Sequence, residues 1–235
     1  MLAIDPSSPF SGGALLGDRV RMSEHATDSG VFIRSMASRG HLGGLAWAAP
    51  QALRVLDAAG FDVVLVETVG VGQSEVEVAR AADTTVVLLA PGMGDGIQAA
   101  KAGILEIGDV YVVNKADREG AAAVRRDVRT TIGLADRSPV DWKPPVLLTS
   151  APSGEGIDSV IEKLDAHLAW ARESGVLQQR RLQRVRDEVE SIAVTALRRR
   201  WDGVDRSALD GLAEHVVTGE LDPYTAADRL LGPRD

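Results

Sequence analysis

Short apolar runs alternate with helical patterns along the first two thirds of the chain. The runs are rich in β-branched residues and lie at residues 2–4, 63–66, 85–89, 110–113 and 146–148. Between or after them, helix-like segments cover residues 48–59, 75–82, 97–107, 121–132 and 156–171. Short runs that are apolar throughout are typical of parallel strands buried on both faces. The alternation therefore predicts an α/β fold built on a doubly wound, mostly parallel sheet.

A longer helical pattern follows at residues 177–201, and it differs from the earlier ones. Apolar residues recur at steps of three and four, which makes a short heptad-like seam: Leu182, Val185, Val189, Ile192 and Ala196. Arginines decorate the same segment. Two interpretations stay open, a helix that packs on its own domain with a solvated basic face, or a helix that forms a dimer. We divide the chain into a nucleotide-binding domain, 1–175, and a C-terminal helical dimerisation or interaction region, 176–235.

Composition narrows the class of protein. The chain has 235 residues, 45% hydrophobic and 26% charged, as in ordinary globular proteins. Its net charge of −8 argues against a nucleic-acid partner, and no apolar run reaches the roughly 20 residues that a membrane helix needs. Cysteine is absent, which excludes disulfides and zinc-thiolate sites. The first residues lack a signal-peptide pattern, so we expect a cytoplasmic protein.

The segment from Asn114 to Asp117 reads Asn-Lys-Ala-Asp and directly follows a predicted buried strand. Guanine presents N1–H and an exocyclic amine side by side, and the carboxylate of Asp117 can accept both in charge-assisted hydrogen bonds. Adenine lacks this pair of donors, so Asp117 would be left unpaired beside it. Lys115 can lie across the purine ring and Asn114 can tie neighbouring loops together. The segment predicts a guanine-binding loop.

A second loop follows the next predicted strand and contains Ser150 and Ala151. In many GTP-binding domains, a Ser-Ala pair in this place offers a backbone N–H to guanine O6. A Ser-Ala pair is a common dipeptide. Here it supports a guanine site because it lies one strand after the loop 114–117.

Residues 67–75 follow another predicted strand and open a helix. Gly70 and Gly72 would let the backbone approach a phosphate at a helix N-terminus. Glu67 could approach a phosphate-bound Mg²⁺, and Gln73 could orient an attacking water. Glycine-rich turns between strands and helices are common, so a purely structural turn is the alternative.

Asp5 and Asp18 are two further candidates for the Mg²⁺ site. Asp5 ends a predicted strand, and Mg²⁺ takes oxygen ligands, so both carboxylates could join Glu67 around the ion. A turn at Asp5-Pro6 and a solvated charge at Asp18 are the alternatives.

These motifs, taken in order, resemble the MeaB/ArgK family of GTPases. The resemblance rests on residues 5–13 and 17–19, on 67–75, on 94–101, on 114–117 and on the tail at 221–227. It implies a P-loop GTPase fold, GTP or GDP and Mg²⁺ as cofactors, and a homodimer formed through C-terminal helices. It also implies a chaperone that gates loading and protection of an adenosylcobalamin-dependent acyl-CoA mutase, above all methylmalonyl-CoA mutase.

The resemblance also assigns roles. Asn114, Lys115, Asp117, Ser150 and Ala151 would hold guanine, and Asp5, Asp18 and Glu67 would belong to the Mg²⁺ and switch region. Gly70, Gly72 and Gln73 belong to the same switch. The segment with Asp95, Gln98 and Lys101 would sense the partner, and Lys101 could reach the nucleotide; a plain Asp-Gly turn before a helix is the alternative.

One expected motif is missing. A phosphate-binding loop, G-x-x-x-x-G-K followed by Ser or Thr, belongs before the strand of Asp5, and the 235 residues contain no such segment. We therefore expect an N-terminally truncated domain without its first strand, with exposed apolar surface and with poor or no GTP hydrolysis.

Three other functions remain open at this stage. A nucleotide-independent interaction fragment is favoured by the missing loop. A nickel-metallochaperone GTPase usually shows His or Cys clusters, whereas the four histidines here are scattered. The ArgK label suggests a kinase-like role in a transport system, for which we identify no sequence feature.

Overall fold

The computed structural model describes residues 1–5, 22–25, 27–37, 49–68, 80–92, 104–134, 138, 140–201 and 206–231. Six strands are formed in this part of the chain: β1 Leu2–Asp5, β2 Arg34–Ala37, β3 Val66–Thr68, β4 Val86–Leu89, β5 Val110–Val113 and β6 Val146–Leu148. Seven α-helices are formed there: α1 Ala49–Ala58, α2 Ile104–Ile107, α3 Ala121–Gly133, α4 Ile157–Glu173, α5 Val176–Trp201, α6 Arg206–Val217 and α7 Pro223–Leu231. A single 3-10 turn covers Ser23–His25.

All described strand pairs are parallel, which confirms the predicted α/β class. The strands form two sheets, in the orders β2-β1-β3 and β4-β5-β6, whereas a single sheet was predicted. No described strand pairs with β3 or β4 on its outer side. Within the part of the chain that the structure describes, β3 and β4 therefore each lie at the end of a sheet.

The central strand β5 shows why the second sheet forms. All four of its side chains are buried, as predicted for a parallel strand between two neighbours. Helix α3 buries one face, at the spacing of a helical stripe, against this sheet: Ala121, Val124, Val128 and Ile132. Tyr111 donates its hydroxyl to the Leu105 carbonyl at 2.6 Å, so its only polar group is satisfied within the core. This core holds the carboxyl ends of β5 and β6 in place.

Some predicted elements differ from the structure. Residues 63–65 precede β3 instead of forming it, and Val63 and Leu65 are 72% and 60% exposed. Strand β4 buries only alternate residues, so the prediction of burial on both faces is wrong there. Its other face carries Leu88, which is 66% exposed. Strand β2 was not predicted at all.

The C-terminal half of the chain follows its predicted helices closely. Helix α5 begins one residue before the predicted start, and α6 and α7 flank the predicted turn. The chain separates into two compact units, Met1–Leu182 and Gln183–Asp235. The functional division at residue 175 stays a prediction. None of the helices in the described ranges is both long enough and apolar enough to cross a membrane.

Candidate guanine-binding site

Two loops meet at the carboxyl ends of β5 and β6, the edge at which parallel sheets bind ligands. Strand β5 leads into the loop that starts at Asn114, and β6 leads through Thr149 into Ser150 and Ala151. The strands are neighbours in parallel register, with Val113 opposite Leu148. The sheet therefore delivers both predicted base-binding loops to one place.

Asn114 links the two loops through its side chain. Its backbone N–H donates to the Leu89 carbonyl at 2.8 Å, which fixes the residue at the end of the sheet. Its Oδ1 accepts the Ala151 N–H at 3.1 Å and the Thr149 hydroxyl at 3.3 Å. The Ala116 N–H donates to the Thr149 carbonyl at 2.9 Å. The amide of Asn114 thus holds the loops in fixed register, in the tying role that the sequence suggested.

Asp117 is positioned by the neighbouring loop. The buried Ser150 donates its hydroxyl to Asp117 Oδ1 at 3.2 Å, while the Asp117 side chain remains exposed. Within the described residues, Asp117 Oδ2 accepts no hydrogen bond from the protein. A carboxylate held on one oxygen and open on the other can receive a ligand with adjacent N–H donors.

Lys115 occupies an unusual backbone conformation. Its φ is 58°, in the left-handed region that non-glycine residues rarely adopt. The Arg118 N–H donates to the Lys115 carbonyl at 2.9 Å and closes the turn. The side chain is exposed beside Asp117. Such strain persists only where surrounding bonds impose it, and here they shape a loop that presents Lys115 and Asp117.

The backbone N–H of Ala151 already has a partner. It donates to Asn114 Oδ1, and the Ser150 N–H donates to the Glu155 carbonyl at 3.0 Å. Pro152 follows and has no N–H. Donation to guanine O6, as predicted for this pair, therefore requires the Ala151 N–H to share or exchange its bond with Asn114.

Gly156 allows the Ser-Ala loop to pack closely against the end of β6. It precedes α4 with φ 78°, and a Cβ added there would lie 2.2 Å from the Leu148 carbonyl oxygen. Ser150 and Glu155 pair as an isolated antiparallel bridge just before it. A glycine is required for this close approach, which folds residues 150–155 back over the end of β6.

The other predicted site residues are only partly described. Glu67 lies on β3 with an exposed side chain, opposite Ala3 of β1, and Asp5 is the last residue of β1. The remaining candidates lie outside the described residues: Asp18, Gly70, Gly72, Gln73, Asp95, Gln98 and Lys101. Among the residues that are described, no three acidic or histidine side chains gather as a metal site. The proposed Mg²⁺ set thus stays a prediction.

Sequence reasoning missed two contributors to these loops. The hydroxyl of Thr149 and the carbonyl of Glu155 both fix the Ser-Ala loop. Their chain neighbours were singled out, but a hydroxyl that bonds across to a residue 35 positions earlier leaves no local signal.

Comparison with known proteins identifies the chain's relatives. The sequence profile of the family described as "Methylmalonyl Co-A mutase-associated GTPase MeaB" matches residues 1–204. A "Putative GTPase" of Pyrococcus horikoshii is 46% identical over 233 residues, which cover 98% of this chain and 73% of the relative.

Two further relatives carry more specific names. "GTPase ArgK" of Escherichia coli is 41% identical over 186 residues, covering 78% of this chain and 56% of its own length. "Methylmalonic aciduria type A homolog, mitochondrial" of Mus musculus is 34% identical over 247 residues, covering 98% of this chain and 57% of its own.

Proposed function

We propose that this chain, which belongs to the MeaB family of methylmalonyl-CoA mutase-associated GTPases, binds the guanine base of GTP or GDP with its loops at 114–117 and 149–151. The observation that carries the proposal is the hydrogen-bonded contact between the loops, in which Ser150 holds one oxygen of Asp117 and leaves the other open. The matching family is a GTPase family, which supports a guanine nucleotide as the ligand.

The carboxylate of Asp117 supplies the choice of base. Guanine offers N1–H and N2–H to it, whereas xanthine has an oxygen in place of the N2 amine. An Asp117→Asn variant carries one acceptor and one donor, which match xanthine and mismatch guanine. We expect the substitution to weaken GDP binding about 100-fold or more relative to xanthosine diphosphate binding.

Equilibrium titration of the purified 235-residue chain with both diphosphates measures this effect. Glu119→Gln is the matched control, because it converts an exposed carboxylate to an amide two residues away and should leave the base preference unchanged. If neither nucleotide binds the parent chain, the nucleotide-independent interaction fragment becomes the better interpretation.

Hydrolysis belongs to a separate part of the proposal. The residues proposed for Mg²⁺ and water are Asp5, Asp18, Glu67, Gln73 and Lys101. Since the 235 residues contain no phosphate-binding loop, the usual lysine and backbone grip on the triphosphate is missing from them. The purified chain is expected to show no Mg²⁺-dependent GTP turnover above buffer, and robust turnover would overturn this expectation.

The proposed client is an adenosylcobalamin-dependent acyl-CoA mutase, with methylmalonyl-CoA mutase first. The family description and the name of the murine relative support this choice. In the proposal, the nucleotide state of the chain gates cofactor loading and protects the mutase. A pull-down with the mutase, with and without a GTP analogue, tests this proposal. Equal recovery of the mutase in both conditions would contradict gating by the nucleotide.

We also propose that α5 forms the contact of a homodimer. Its seam is exposed in the described structure: Leu182 48%, Val185 53%, Val189 62% and Ile192 47%. Apolar residues at heptad spacing are stabilised by a partner helix, which would cover this seam.

The dimer proposal predicts that Val189→Glu shifts the chain from dimer to monomer in sedimentation velocity, because it places a charge in the seam. Glu190→Lys alters the charge of the next exposed position and should leave the dimer intact. A parent chain that is monomeric at tens of micromolar would favour packing of α5 on its own protein instead.

A further inference from the structure

A second polar cluster lies at the opposite end of the sheet β4-β5-β6, away from the base-binding loops. Its centre is Asp109, which directly precedes β5 and is 6% exposed. Residues Asp83, Thr84 and Thr85 precede β4, and Arg180 belongs to the beginning of α5. The cluster therefore joins two strands of the sheet to the helix that leaves it.

Asp109 is bound on both oxygens. The Arg180 guanidinium donates to Oδ1 and to Oδ2, each at 2.9 Å, in a bidentate pair. The Thr85 N–H donates to Oδ2 at 2.9 Å. Burial raises the pKa of Asp109, but the contacts from His167, Arg180 and Thr85 outweigh it and lower the pKa to about 2. The carboxylate is thus ionised and fully paired.

His167 and two tryptophans complete the cluster. His167 on α4 is fully buried, with Nδ1 2.8 Å from the Thr84 hydroxyl. Its Nε2 lies 3.2 Å from Asp109 Oδ1, within ion-pair distance but outside hydrogen-bond alignment. The rings of Trp142 and Trp170 pack against it, and the Trp142 indole N–H donates to the Asp109 carbonyl at 2.7 Å. Water is therefore largely excluded from the Asp109 carboxylate, whereas the Arg180 side chain is 37% exposed.

Few buried apolar side chains hold the start of α5, where Arg180 also donates to the Asp83 carbonyl at 3.2 Å. Over residues 176–184 only Leu177 is buried. A second ion pair joins Arg181 to Asp83 at 2.5 Å, but the side chain of Arg181 is 55% exposed. Exposed ion pairs of this kind contribute little, whereas a bidentate pair on a buried carboxylate contributes more. The first turns of α5 are held mainly by charge.

We propose that the pair Asp109–Arg180 is a releasable clamp, by which the first two turns of α5 can leave the sheet without unfolding of the domain. A segment with few buried apolar contacts opens locally at lower cost than the core, and the bidentate pair is the strongest of the contacts that must break. The expected opening concerns residues 176–184 alone. This device lies outside the proposed guanine site, and its operation can be observed with no nucleotide present.

Hydrogen exchange of the full 235-residue chain at neutral pH tests the clamp. In Asp109→Asn and Arg180→Lys, the amides of residues 176–184 should exchange at least about tenfold faster than in the parent chain. Arg180→Lys keeps the positive charge and loses the bidentate fork, so it isolates the geometry of the pair. Arg186→Lys on the same helix, exposed in the structure, should change nothing.

Amides of α3 serve as the internal reference, because this helix packs on the same sheet away from the cluster. In the parent chain, the amides of residues 176–184 should exchange with a lower opening free energy than those of α3, and the variants should accelerate them further. Equal opening free energies for the two segments in the parent chain, or unchanged exchange at residues 176–184 in the variants, overturns the clamp, since the segment would then open only with the whole domain or without breaking the pair.

Discussion

Replacement of Asp109 by asparagine is expected to lower the free energy of unfolding by about 2–3 kcal/mol, less than for a fully buried ion pair because the Arg180 side chain is 37% exposed. The change leaves the Arg180 guanidinium without its bidentate partner in a half-buried site. Urea denaturation followed by circular dichroism at neutral pH measures the loss. Asparagine keeps the shape of the side chain, so the effect reports the lost charge and the lost acceptor oxygen and not a change of volume.

Asp83→Asn is the matched control for this substitution. Asp83 also pairs with an arginine of α5, but its side chain is 30% exposed and that of its partner Arg181 is 55% exposed. The expected loss is about 0–1 kcal/mol, because solvent screens the pair. Equal losses in the two variants would contradict the assignment of Asp109 as the principal anchor.

The lowered pKa of Asp109 makes the stability of the chain depend on pH. Its folded pKa of about 2 lies below the ordinary unfolded value of about 3.9. The unfolded chain therefore takes up the proton first, and the stabilisation is complete above about pH 4 and is lost as pH falls toward 2. Among the described residues, the ionisable groups that face Asp109 are Arg180 and His167. The stability difference between parent and Asp109→Asn should shrink over this window, and a constant difference would contradict it.

Gly156→Ala is the second substitution with a large expected effect. The new Cβ would lie 2.2 Å from the Leu148 carbonyl oxygen, far closer than such atoms approach, and this backbone cannot move without disturbing β6. The left-handed φ of 78° adds about 1 kcal/mol and overpacking about 1–3. We expect a loss of about 2–4 kcal/mol in the free energy of unfolding, measured by urea denaturation.

Substitution of Gly154 separates the cost of the left-handed φ from the cost of overpacking. This glycine has a φ of 75°, and an added Cβ would meet no atom within 4 Å. Gly154→Ala should therefore cost only the conformational part, about 1 kcal/mol. If Gly156→Ala costs no more than Gly154→Ala, the close approach to Leu148 does not constrain the loop.

The sequence predicted the elements whose pattern is strong locally. Strand β5 is apolar at every position and α3 carries a clear apolar stripe, and both formed within one residue of their predicted bounds. Strand β2, Arg34–Ala37, escaped prediction because its residues are mixed in polarity. Residues 63–65 have the composition of a strand, yet pairing with β1 begins only at Val66. Pairing is a tertiary property, which composition cannot supply.

The base-binding loops were predicted from their residues and their places after strands. The hydrogen bond that links the loops through Asn114 Oδ1 forms because β5 and β6 are neighbouring strands. The competition for the Ala151 N–H could not be predicted, because it depends on a distance between atoms 37 residues apart in the chain. One of the two interpretations of the 177–201 helix placed its arginines on a solvated face. Arg180 instead lies half-buried against Asp109, and nothing in the local pattern marks their contact.

The four residues of β5 separate Asp109 at one end of the strand from Asn114 at the other. Both residues take their positions from the same buried strand. A one-residue slip of β5 would therefore displace the Asp109–Arg180 pair and the linked base-binding loops together.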